Sequence, residues 1–178
     1  MNQIWESIST CRICDSDFLS EVLDLGAQPP ANSLYPPNET PPPRIPLRAL
    51  FCNKCGCVQL GESVNPEYLF GKYLWVTGTS RTATEYSQRF AQRALQKIKT
   101  QQPFVVEVAS NDGTFLQEFK KQNSEVLGID PAKNIAELAN SNGIPTQADF
   151  FTQEVAENVL KSWPTADIAI ARNVIPHV

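Results

Sequence analysis

The stretch Pro103–Pro131, PFVVEVASNDGTFLQEFKKQNSEVLGIDP, decides the fold. Its opening apolar run, Phe104-Val105-Val106, suits a strand buried on both faces of a parallel sheet. A turn of small residues follows, Ala109-Ser110-Asn111-Asp112-Gly113, and Thr114 then starts a helix. Phe115, Leu116 and Phe119 fall on one face of that helix, the spacing of a packed amphipathic element. A second apolar run, Val126-Leu127-Gly128-Ile129, ends in Asp130. The order is strand, turn, helix, strand, with an acid at the tip of the second strand.

In open α/β sheets ligands sit beyond the carboxyl ends of the strands, where a carboxylate can accept from both hydroxyls of a ribose. The turn has only Gly113 where a dinucleotide site has three glycines, so no pyrophosphate cradle is evident. Glu107, at the end of the first strand, repels a diphosphate and attracts a cation. A ligand joining adenosine, ribose and a positive centre fits better than a nicotinamide dinucleotide, and S-adenosylmethionine meets that description. The plain alternative is that Glu107 and Asp130 cap turns in a generic α/β domain.

Working outward, the 178 residues allow one or two domains. A net charge of −4 argues against a nucleic-acid partner. No apolar run approaches the roughly 20 residues of a membrane span, and no signal-like segment opens the sequence. The expectation is a cytoplasmic protein with no membrane partner, its five cysteines serving metal or thiol chemistry rather than disulfides.

Four of those cysteines form two knuckles, Cys11-Arg-Ile-Cys14 and Cys52-Asn-Lys-Cys55. Two C-x-x-C pairs supply the four thiolates of a closed, tetrahedral, structural zinc site. The intervening loop holds eight of the 14 prolines, between Pro29 and Pro46, and cannot build a helical core. A metal clip is a sensible way to hold it. Cys57 breaks the pairing and is expected to be a small buried side chain. The expected divisions are a zinc-binding module over 1–65, an aromatic linker and helix over 66–100, and a cofactor-binding domain over 101–178.

The linker is dense in aromatics from Pro66 to Trp75 and serves either as packing between modules or as one wall of a substrate site. Thr77-Gly78-Thr79-Ser80 reads as a flexible polar turn. A helix follows with Tyr86, Phe90, Ala94 and Ile98 on one face, Lys97 and Lys99 lying near its C-terminus. After Asp130, a helix buries Ile135, Leu138 and Ala139 and ends at Asn142-Gly143. Ile144–Ala148 is a third strand, with Asp149-Phe150-Phe151 at its exit, either a cap and two core aromatics or an adenine-binding pair. Val155, Val159, Leu160 and Trp163 form another buried helix face. Residues 166–171 make a fourth strand, with Arg172-Asn173-Val174-Ile175-Pro176-His177-Val178 at its tip. His177, the one histidine, is either a base or orienting donor there, or an ordinary surface residue.

These motifs occur together in one order: Cys11-x-x-Cys14, Leu23-Asp24-Leu25-Gly26, Pro30-Ala31-Asn32, Cys52-x-x-Cys55 with Val58-Gln59-Leu60, Glu107 to Gly113, Gly128-Ile129-Asp130-Pro131, and Ala171-Arg172-Asn173-Val174 with His177. In this the chain resembles the zinc-containing, S-adenosylmethionine-dependent sugar C-methyltransferases of deoxysugar biosynthesis. The resemblance implies a small zinc module followed by an incomplete Rossmann-like methyltransferase domain of about four parallel strands. It implies a nucleotide-linked 4-keto-6-deoxysugar as substrate, a base that removes the proton beside the ketone, and methyl transfer to the resulting enolate.

By position, Glu107, Ala109, Ser110, Asn111 and Gly113 would hold the methionine end of the cofactor, and Asp130 with Pro131 the ribose. Asp149 and Phe150 would lie near the adenine, and Asn173 would support the cofactor side. His177 would face the sugar as the catalytic residue, with Tyr73 and Trp75 on the substrate side. The family commonly has a tyrosine there, and this chain offers Trp75. Family members are about twice as long and have seven strands, so the chain corresponds to their N-terminal part and is expected not to transfer methyl groups alone. Strand Ile168–Ala171 would then be an apolar sheet edge open to self-association. Other readings are a non-catalytic zinc-stapled binding module, an O- or N-methyltransferase, and a nicotinamide-dependent sugar oxidoreductase.

Overall fold

The computed structural model describes residues 4–31 and 33–175. The chain divides into two compact units, residues 1–69 and 70–178. Residues 66–69 of the aromatic stretch fall in the first unit, and residues 70–100 in the second.

The first unit is built of strands. β1 (Trp5–Ser7) pairs antiparallel with β5 (Glu62–Val64). β2 (Leu19–Gln28), β3 (Ile45–Cys52) and β4 (Val58–Leu60) form an antiparallel sheet in that order. Register shifts between Glu21 and Leu23 and between Asp24 and Ala27 bend β2 away from a regular ladder. A short helix, α1 (Pro66–Phe70), follows.

In the second unit α2 (Arg81–Leu95) begins at Ser80, whose hydroxyl accepts from the Ala83 amide as an N-cap. The helix stops at Leu95, so Ile98 lies beyond it rather than on its face as expected, and Lys97 and Lys99 follow its C-terminus. β6 (Phe104–Val108), α3 (Thr114–Lys120), β7 (Glu125–Ile129) and α4 (Lys133–Ser141) come next. They are followed by β8 (Thr146–Gln147), α5 (Gln153–Ser162) and β9 (Ile168–Ala171). The sheet order is β8-β7-β6-β9 and every pairing is parallel. This is the expected four-stranded, parallel, Rossmann-like sheet, with β9 at one edge among the described residues. The third strand, Thr146–Gln147, is shorter than its expected span of 144–148.

Alternate residues of β6 face opposite layers, as a doubly covered strand requires. Val105 packs with Ala91, Leu116, Phe119, Ala139 and Ile144 on one side. Phe104 and Val106 join Leu127, Ile129, Val155 and Val159 on the other. Trp163 lies beyond α5 and stacks on Phe104, ring centroids 5.2 Å apart. Leu138 and Leu160, expected to point inward, are exposed instead; the i, i+3, i+4 rule places them on the shoulder of a stripe already filled by Ile135, Ala139, Val155 and Val159. No helix among the described residues is long and apolar enough to cross a membrane.

Candidate functional site

In the first unit the two cysteine knuckles share one design. The residue after the second cysteine, Asp15 or Gly56, has positive φ (57° and 77°). Its amide donates to the carbonyl of the first cysteine, Asp15 to Cys11 at 2.9 Å and Gly56 to Cys52 at 2.8 Å. The first cysteine's own amide donates five residues ahead, to Ser16 and Cys57, both at 2.8 Å. Each turn therefore brings its two sulfurs to one side.

All four sulfurs lie within 4.8 Å of one another, with Cys11 to Cys55 at 3.5 Å and Cys14 to Cys52 at 3.7 Å. A tetrahedral zinc with Zn–S bonds of about 2.3 Å separates its sulfurs by about 3.8 Å, so the donor set fits that ion. Four thiols this close cannot all ionise unaided. Backbone donors led by Ile13 lower Cys11 to about 6. Cys55 is pushed up to about 12: the Cys57 amide favours its thiolate, but neighbouring thiols and burial outweigh it. A dication relieves that conflict. Cys57 is half-buried and donates weakly to the Val58 carbonyl, neither among the four nor fully buried as expected. Gln59, buried on β4, accepts from the Arg12 amide (2.8 Å) and donates to the Thr10 carbonyl (3.0 Å), fastening the first knuckle to the sheet.

In the second unit a cavity of about 540 Å³ opens at the carboxyl ends of β6, β7 and β9. Of the candidate residues, Tyr73, Trp75, Ala109, Asn111, Asp130, Pro131, Phe150 and Asn173 line it. Glu107, Ser110, Gly113 and Asp149 are outside the lining; Glu107 lies on β6, Ser110 and Gly113 are in the turn after it, and Asp149 is exposed. His177 falls outside the described residues.

Three lining residues hold left-handed backbone, Ala109 (φ 52°), Asn111 (φ 53°) and Asn173 (φ 53°). Such conformations are costly for an alanine and cluster where a chain must be held in one shape around a ligand. Gly113 (φ 77°) lets α3 start against the sheet, since a Cβ there would stand 2.8 Å from Ile144. Gly128 serves the same closeness, a Cβ there lying 2.3 Å from the Ser110 hydroxyl.

Asp130 is buried, and each of its oxygens accepts one main-chain amide: Asn111 on Oδ2 (2.8 Å) and Ala132 on Oδ1 (3.0 Å). Burial raises its pKa and the two amides oppose the rise. Each oxygen has a lone pair left, so two adjacent hydroxyls can be held at once.

Glu107 stands differently from its expected role. It is fully buried, and its Oε1 accepts from both Nε (2.9 Å) and Nη2 (2.6 Å) of Arg172, leaving Oε2 unpartnered. The Arg172 guanidinium also lies over the Phe115 ring, 3.1 Å from its centroid. Arg172 therefore supplies the cation that Glu107 was expected to attract from a ligand, and it is Arg172 that lines the cavity. Burial raises Glu107 to about 7 against the opposing pull of Arg172. Sequence reasoning assigned Arg172 no role; an arginine directly after an apolar strand was the available signal.

The segment 73–80, read as flexible at Thr77–Ser80, is fastened. Asn134 donates to the Tyr73 carbonyl (2.8 Å) and accepts its amide (3.1 Å). Asn111 donates to the Trp75 carbonyl (3.0 Å) and accepts from Thr77 (2.8 Å), and Asp112 accepts from Gly78 (2.9 Å). Asn134 and Asp112 were not singled out from the sequence, since a side-chain clamp on distant backbone has no local pattern.

Residues 11–70 match a family described as "Putative zinc binding domain". Over 181 aligned residues the chain is 29% identical to the C-methyltransferase NovU of Streptomyces niveus. The chain is similar to a C-methyltransferase. The alignment takes in 100% of this chain and 43% of that relative, so the chain spans less than half of the relative's length. Among solved structures, the plantazolicin methyltransferase BamL with a bound desmethyl-plantazolicin analogue and SAH is similar at 20% identity and a TM-score of 0.37, over 50% of this chain and 35% of that one. A SAM-dependent methyltransferase from Archaeoglobus fulgidus is similar at 20% identity and a TM-score of 0.34, over 46% and 34%.

Proposed function

We propose that the second unit is the S-adenosylmethionine-binding part of a C-methyltransferase acting on a nucleotide-linked keto-deoxysugar, and that the first unit is its zinc-stabilised module. The observation that carries this reading is Asp130, a buried carboxylate at the tip of β7 with both oxygens pre-oriented by main-chain amides and open to the cavity lining. The similarity to NovU supports the choice of carbon as acceptor. In this reading Phe150 covers the adenine face. Ala109, Asn111 and Asn173 shape the cofactor side, and Tyr73 and Trp75 wall the sugar side. Bound there, the cofactor supplies an electrophilic methyl group. The protein's share is to orient it, exclude water, and provide a base beside the ketone, the role assigned to His177.

Calorimetric titration of S-adenosylmethionine into the zinc-loaded chain tests the cofactor assignment. Binding that weakens about 10- to 100-fold in Asp130→Ala supports it, since a charge-assisted pair of hydrogen bonds carries that much. Unchanged affinity in the variant would move the ribose elsewhere.

A further inference from the structure

We propose that Asn111 is a positioning residue that ties the aromatic segment 73–80 to the carboxylate of Asp130. Engaging a ligand at Asp130 and fixing the Trp75 wall of the cavity then become one event. The proposal rests on the cofactor reading of Asp130 for the identity of the ligand, and on geometry alone for the link.

Asn111 faces two ways. Its main-chain amide donates to Oδ2 of Asp130 at 2.8 Å. Its side-chain amide donates to the Trp75 carbonyl at 3.0 Å and accepts from the Thr77 amide at 2.8 Å. The groups it meets, the carbonyl of one residue and the amide two further on, are those a residue of a parallel strand would meet. A single side chain thus stands in for a strand neighbour along a segment that is in no sheet. The two bonds also fix which end of the amide is oxygen, because exchanging them would set donor against donor and acceptor against acceptor.

The residue type follows from both duties. Asn111 has φ 53°, a conformation asparagine tolerates better than most side chains. Aspartate could accept from Thr77 but could not donate to Trp75. Glycine would keep the backbone and lose the clamp. Asn134 makes a comparable pair of bonds to Tyr73 but donates nothing to Asp130, so it anchors the segment without linking it to the ligand. Because Asn111 is nearly buried and lines the cavity, a shift at Asp130 reaches the Trp75 carbonyl through one residue.

The test uses the whole chain and amide hydrogen exchange, with S-adenosylhomocysteine as probe. Without ligand, Asn111→Gly is expected to speed exchange at Thr77 about tenfold, the loss of one buried hydrogen bond, while Ala132, bonded to Asp130, keeps its protection. With ligand, the wild-type segment 73–80 gains protection, Asn134→Ala retains that response, and Asn111→Gly loses it. Wild-type exchange at Thr77 in the ligand-free Asn111→Gly protein would overturn the proposal, as would a preserved ligand response in that variant. If the wild-type protein shows no calorimetric heat with the probe, the cofactor reading fails, and the ligand-free exchange rates alone decide the role of Asn111.

Discussion

The two units reach a fixed structure by opposite means. Among the described residues of the first, the buried apolar side chains are Cys11, Ile45, Leu50 and Cys52, and two of these belong to the four-sulfur cluster. Its strands leave Val22, Leu23, Leu25, Val58 and Leu60 exposed. The second unit buries two clusters, one on each face of a parallel sheet, with Phe115, Leu116 and Phe119 of one short helix almost wholly withdrawn from water. One unit converges on four sulfurs, the other on packed apolar side chains. A small all-strand segment rich in proline removes too little apolar surface to offset its chain entropy, and a metal supplies the difference.

Removing the metal should break this contrast most sharply. Structural zinc contributes an apparent binding free energy of roughly 10–16 kcal/mol. A strong chelator, or Cys52→Ser, should therefore abolish exchange protection in β2 and β3 while β6 and β7 stay protected. Loss of protection in both units together would show that they do not fold separately. The converse experiment is Phe119→Ala, which should cost about 3–5 kcal/mol by opening a cavity under α3. Its mark would be a lowered melting transition for the second unit with zinc content unchanged.

A subtler difference lies in pH. Glu107 is raised by burial from its ordinary value to about 7 in the folded unit, so between about 4.5 and 7 the native state holds a proton that the unfolded chain releases. Stability of the second unit should fall as pH rises through that window, by about 3 kcal/mol in all, because ionising the buried carboxyl is the costly step. Glu107→Gln keeps an acceptor for Arg172 and should flatten the dependence in melts from pH 4.5 to 8. A slope identical to wild type would assign the effect to another group. The smallest effect expected is at Gln59. Its replacement by alanine frees the Arg12 amide and the Thr10 carbonyl, costing about 1–2 kcal/mol in the first unit and weakening zinc retention about tenfold in a chelator competition.

Much of this was legible in the sequence because it is written in local spacing. The run Phe104–Val106, the helix face of Phe115, Leu116 and Phe119, and the second run ending in Asp130 state a parallel strand–helix–strand unit by periodicity alone. The paired C-x-x-C knuckles point to a four-sulfur cluster, since each pair can grip one edge of a tetrahedral metal and structural zinc takes four such ligands. What the sequence could not show were contacts between residues far apart in the chain. Arg172 meets Glu107 across 65 positions, Asn111 clamps Trp75 across 36, and Gln59 holds Thr10 across 49. Each is a part-buried polar pair, made only when the fold brings together two stretches distant in the chain. Leu138 and Leu160 were misjudged for the same reason: a helix's period says which residues share a face, and only its neighbours decide how wide a face they cover.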